Sequence, residues 1–205
     1  MIEAIQIDWR TALYSFIERE AQPPEKFGHQ PRLYELTQQV GQGIAYDDDI
    51  VYAACYLHDL GVFIGHRPED PELLPRWDNT AYAVAQAPQI LANIDFPAER
   101  IPSVQAAIAT HQPHHTPDSI EATILRDADI LEQLGAIAIL RTTCKVGRDT
   151  RFHTFTQAVA SLTKALETLP PLICLPRART LAEPRIQALR SFLEAVHAEA
   201  ASNLL

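Results

Sequence analysis

Apolar residues recurring every three and four positions, the spacing of a helical face, run through most of this chain. Runs of alternating β-branched residues are scarce, and only 7 glycines are present, so the tight turns that join strands have little to build on. An all-α fold follows. Helices are predicted at about 4–20, 30–43, 48–60, 77–93, 99–111, 119–141, 153–168 and 177–201. Their ends carry physical signals. Pro31 fits a first turn, where a missing N–H costs nothing. Asp47, Asp48 and Asp49 supply a cap and first-turn carboxylates, and Gly61 reads as a left-handed cap. Pro113 and Pro117 keep 111–118 out of helix. Val62 to Arg76, with three prolines, reads as irregular, and irregular segments of that length often carry function.

At 205 residues the chain suits one domain. Nothing in the sequence resembles a linker. The net charge of −9, with no Lys/Arg-rich run, excludes duplex nucleic acid as an expected partner. A small anion remains compatible, because a few local cations or a bound metal suffice. Glu3, Asp8, Arg10 and Glu18 spoil any apolar signal core, no run is long enough to span a membrane, and three scattered cysteines suit a reducing compartment. A cytoplasmic protein without a membrane partner is expected. The first and last helices leave a homodimer open.

The chemistry concentrates in Tyr52-Ala-Ala-Cys-Tyr-Leu-His58-Asp59-Leu-Gly61, an apolar helix that ends in His-Asp. A carboxylate at a helix C-terminus is disfavoured by about 0.3–1 kcal/mol unless something cationic meets it. A divalent metal would. Upstream, Phe27-Gly-His29-Gln-Pro-Arg32 sets a histidine just before a helix start. Downstream, Arg126-Asp127-Ala-Asp129 embeds two carboxylates in an apolar helix. Two positions apart, they lie about 200° around the helix from each other. One faces a site, and the other caps, pairs or meets solvent. Two imidazoles with carboxylates suit Mn, Fe, Co, Ni or Zn better than a thiol-selective ion.

The ordered set His29, His58-Asp59 and Ala128-Asp129-Ile-Leu131 resembles the HD superfamily of metal-dependent phosphohydrolases. Residues 121–141, with their Asp-Ala-Asp and Gly-Ala segments, are similar to a bacterial single-domain subgroup. So is the stretch from Arg179 through Glu183-Pro-Arg185 to Phe192 and Glu199. The resemblance implies a helical bundle with a core of about 25–145 and C-terminal helices at 150–205 packing on it. It implies His29, His58, Asp59 and Asp129 as ligands of a divalent ion (Mn, Fe, Co, Ni, Zn or Mg), with Asp127 the alternative to Asp129. It also implies His111 at the site as general acid or phosphate contact.

The expected activity is cleavage of a phosphate ester or anhydride of a small metabolite, with a nucleotide as the leading class, by a metal-bound hydroxide. Asp59 doubles as proton acceptor. Arg32, Arg67, Arg126, Arg141 and Lys145 are candidate phosphate contacts, as are His114 and His115. Two other readings stand beside this one. A di-iron oxygenase of the same fold would need further ligands, yet Ala83 stands where a second-metal histidine is expected and His66 is the nearest substitute. A sensor or interaction module would keep the fold without turnover. His153 and His197 read as structural or solvent-facing, and Asp95, Asp118 and the Asp47–Asp49 run as caps or solvated surface.

Overall fold

In the computed structural model, residues 8–148 and 152–200 are described. Among them the regular elements are helical: α1 (Trp9–Glu20), α2 (His29–Val40), α3 (Asp48–Leu57), α4 (Asn79–Ala92), α5 (Ile101–Thr110), α6 (Ile120–Glu132), α7 (Ala136–Thr143), α8 (Phe155–Thr168) and α9 (Pro176–Ala200). Short 3-10 turns join several of them, and no membrane-length apolar helix occurs among the described residues. The chain divides into two compact units, one ending at Arg126 and the other beginning at Asp127.

In the first unit α3 is the central element. Every residue from Ile50 to Leu57 is buried, as an all-round apolar helix requires. It packs against α1, α2 and α5, while α4 packs on α5 and on the turn Leu60–Val62. Asp47 caps α3 by accepting from the Asp49 amide, 3.0 Å. The other two aspartates of that run are not simply solvated. Asp48 accepts from Arg10, Tyr34 and Gln38 at 2.8, 2.8 and 2.6 Å. Asp49 accepts from Arg10 at 2.5 Å and Arg100 at 2.6 Å. Burial works to raise the Asp48 carboxyl, but the bonds from Arg10, Tyr34 and Gln38 outweigh it and hold it below its ordinary value. These half-buried pairs join α1 and the turn before α5 to the start of α3, fixing the helix that ends in His58.

Two glycines act differently from expectation. Gly61 is not a left-handed cap: α3 stops at Leu57, and Gly61 lies in the 3-10 turn Leu60–Val62. Its need is for space, since a Cβ there would sit 2.6 Å from the Asn79 carbonyl oxygen. The predicted helix 119–141 is two helices, broken before Gly135, whose φ of 84° and ψ of −162° admit essentially only glycine. A Cβ at Gly135 would also meet Arg185 of α9 at 3.1 Å. Gly135→Ala is therefore expected to cost roughly 1–3 kcal/mol in denaturant unfolding; an unchanged midpoint would contradict this account of the break.

The second unit pairs α7, α8 and α9. Asp127, fully buried, accepts from the backbone amides of Cys174 (3.0 and 3.1 Å) and Leu175 (2.7 Å), just before α9. Arg185 donates to the Leu131 carbonyl at 3.3 Å. The outer residues of the first and last predicted helices, 4–7 and 201, lie outside the described residues.

Candidate metal centre

His58 is the residue at which α3 ends, and a helix end leaves carbonyls without intrahelical partners. Its Nδ1–H donates to one of them, Cys55 O, at 2.8 Å. A carbonyl only accepts, so a proton sits on Nδ1, and Nε2 is the nitrogen turned toward His29 and Asp59. His29, first residue of α2, brings its own Nε2 to 3.4 Å from that atom. Asp59 Oδ2 stands 3.6 Å from each Nε2. Both rings are buried, and Asp59 is partly so.

These separations are long for hydrogen bonds. They match ligands of one small cation: the centre of a triangle with such sides lies roughly 2.0 Å from each corner, a usual metal–nitrogen or metal–oxygen distance. The donor set therefore fits a divalent ion, and it is the one group of three such ligands found among the described residues. The position also suits a cation electrostatically, because the C-terminus of α3 carries partial negative charge.

His111 repeats the device. It ends α5, is buried, and donates Nδ1–H to Ile108 O at 2.6 Å. Its ring centroid lies 5.0 Å from that of His58. The structure thus brings His29, His58, Asp59 and His111 together within the first unit. Asp129 belongs to the second unit, where it is half-buried and accepts from Gln133 at 3.0 Å.

The cationic candidates differ in setting. Arg126 is buried and donates to the Pro113 carbonyl at 2.8 Å, which ties down the segment between His111 and His114. Arg32 is half-buried, with Nη1 3.0 Å from where a Cβ on Gly28 would be. Arg67 is half-buried beside the short bridge to Ile64. Arg141 pairs with Glu132 at 2.9 Å in the second unit, where Lys145 also stands half-buried. His114 and His115 are exposed, with ring centroids 4.1 Å apart.

His66 is more constrained than a surface histidine: it links Glu20 (3.1 Å) to the Tyr82 hydroxyl (3.0 Å), and Ala83 is fully buried. Sequence reasoning also missed Trp77, whose indole N–H donates to the Gly61 carbonyl at 2.8 Å. A tryptophan closing a proline-bearing irregular segment was the available signal.

The family model of the HD domain matches residues 27–134, more than half of the chain. No curated protein matches. Among solved structures, Bacillus subtilis YpgQ is similar at 21% identity and a TM-score of 0.73, over 97% of this chain and 99% of that one. YpgQ in complex with ADP is similar at 21% identity and a TM-score of 0.68, over 94% and 98%. An HD-superfamily hydrolase from Bacillus thuringiensis is similar at 20% identity and 0.67, over 95% and 97%. These likenesses show the fold; the domain match shows the family. The chain belongs to the HD-domain family, the metal-dependent hydrolases to which its His29, His58-Asp59 pattern pointed.

Proposed function

We propose that this protein hydrolyses a phosphate ester or phosphoanhydride of a small metabolite, with a nucleotide as the substrate class. The observation that carries the reading is the convergence of two imidazole nitrogens and a carboxylate oxygen at 3.4–3.6 Å at the buried end of α3. His29, His58 and Asp59 would hold a divalent ion, with Asp129 as the fourth ligand. Such an ion, when bound, lowers the pKa of water toward neutrality and draws charge from a phosphoryl oxygen. The ADP complex of YpgQ, a protein of the same fold, favours a nucleotide over other phosphate esters.

The chain's own groups then have separate tasks. Asp59 serves as ligand and as acceptor for the proton leaving the attacking water. His111, its Nδ1 proton committed to Ile108 O, would act on the phosphate or the leaving oxygen through a second proton carried on Nε2 in the imidazolium form. Arg32 and Arg67 are the first-unit cations proposed to hold the phosphate. Arg126 positions the segment that carries His114. A di-iron centre would need ligands beyond this group, and His66 is committed to Glu20 and Tyr82.

Elemental analysis, followed by a panel of nucleotides, phosphate esters and inorganic tripolyphosphate with Mn, Co, Ni or Mg, tests the reading. About one divalent ion per chain and metal-dependent release of phosphate or pyrophosphate are expected. Two irons per chain would favour oxidative chemistry. Absence of both metal and turnover under all conditions would favour a sensor or interaction module.

A further inference from the structure

The first unit holds an open cleft of about 670 Å³ between the start of α4 and the segment after α5. Two short covalent paths join it to the centre. His111, whose ring lies against that of His58, is followed directly by Gln112, which lines the cleft. Asp59 is followed two residues later by Gly61, whose carbonyl holds Trp77 and whose α-carbon packs against Asn79, both lining residues.

The lining is specific in kind. Trp77 is fixed at its N–H by Gly61 and packed against Tyr82, ring centroids 5.2 Å apart. His114 and His115 add two exposed aromatic rings. Asn79 supplies an amide, and so does Gln112, anchored through Nε2 to Thr80 Oγ1 at 2.8 Å. Arg76 adds a cation. Fixed aromatic faces with amides beside them suit a flat, heteroaromatic ring with a polar edge; an aliphatic or sugar phosphate would leave the rings without a stacking partner.

We propose that this cleft is a nucleobase subsite, in which Trp77 and the His114–His115 pair stack on the base while Asn79 and Gln112 read its edge. The proposal rests on the hydrolase reading for its use, yet it is tested without turnover. In a Trp9→Phe background, Trp77 is the sole tryptophan, and metal-free protein is titrated with adenosine and guanosine, which carry no phosphate. Saturable quenching of Trp77 is expected, weakened about tenfold in the His114→Ala/His115→Ala variant, the usual scale of one lost stacking contact.

With His114 and His115 assigned to the base rather than to the phosphate, the same double variant of the metal-loaded enzyme is expected to lower the ratio of nucleotide to tripolyphosphate kcat/KM by a similar factor. Both histidines are exposed, so the variant is expected to keep its melting temperature. Absence of quenching, or equal nucleoside affinity with and without the two histidines, overturns the subsite. Tripolyphosphate hydrolysis without nucleoside binding would sink the subsite and leave the hydrolase standing. Nucleoside binding without hydrolysis of any substrate would do the reverse.

Discussion

Asp59→Ala is expected to lose its bound divalent ion and to reduce hydrolysis by a factor on the order of a thousand. Changes in groups that merely support metal ligands cost roughly 10–100-fold, and a ligand that also accepts a proton should cost more. The loss has a structural logic. Asp59 is the anionic member of the described group, 3.6 Å from both imidazole nitrogens. Without it the described group keeps only the two histidines, and the proposed Asp129 would be the one carboxylate left to a doubly charged ion. The fold should survive, because Asp59 follows α3 rather than lying within it and is partly exposed. Metal-free wild type and variant should therefore melt together. Adding a divalent ion at about a hundred times its Kd should stabilise the wild type by roughly 2.7 kcal/mol and leave the variant unmoved. A variant that keeps its ion and its turnover would remove the basis of the proposed mechanism.

The parts of this centre that were legible in the sequence are those where chain position and chemistry coincide. His58 and Asp59 stand at the end of an apolar helix, where a carboxylate is out of place electrostatically unless a cation is near. His111 ends a second helix, and both histidines satisfy a terminal carbonyl three residues back. Helix ends can be read from proline, glycine and periodicity, whereas the place of His111 at the site came from the family resemblance alone. The break before Gly135 could not be read, because the apolar period continues through Leu134, Ile137 and Ala138 while the chain turns. Gly61 was singled out for conformational freedom, but its role is to let α4 approach. That requirement belongs to packing and leaves no mark in spacing. The cleft was illegible for a related reason. Its walls come from residues 75–85 and 109–115, which the packing of α4 on α5 brings together. The sequence offered His66 only as a substitute second-metal ligand, because its partners Glu20 and Tyr82 are distant in the chain.

Asp127 and Asp129 are expected to part company when each is replaced, although only Ala128 separates them and both are aspartate. Asp127 is fully buried and accepts three hydrogen bonds from two backbone amides ahead of α9. Asp127→Ala would strand both amides, each costing about 1–3 kcal/mol when left unpaired. A loss of roughly 3–4 kcal/mol follows, or a melting temperature lower by about 10 °C for a chain of this size. Asp127→Asn, which keeps one acceptor oxygen, should lose about half as much. Asp129 is half-buried and accepts from Gln133, while the backbone amides before α9 are held by Asp127. As the proposed fourth ligand, Asp129→Ala should melt like the wild type when metal-free, yet bind a divalent ion at least tenfold more weakly. The helical offset of about 200° between the two positions would let one carboxylate brace the backbone while the other takes the proposed role of metal ligand. If Asp127→Ala instead emptied the metal centre and left the metal-free melting temperature unchanged, the two roles would have to be exchanged.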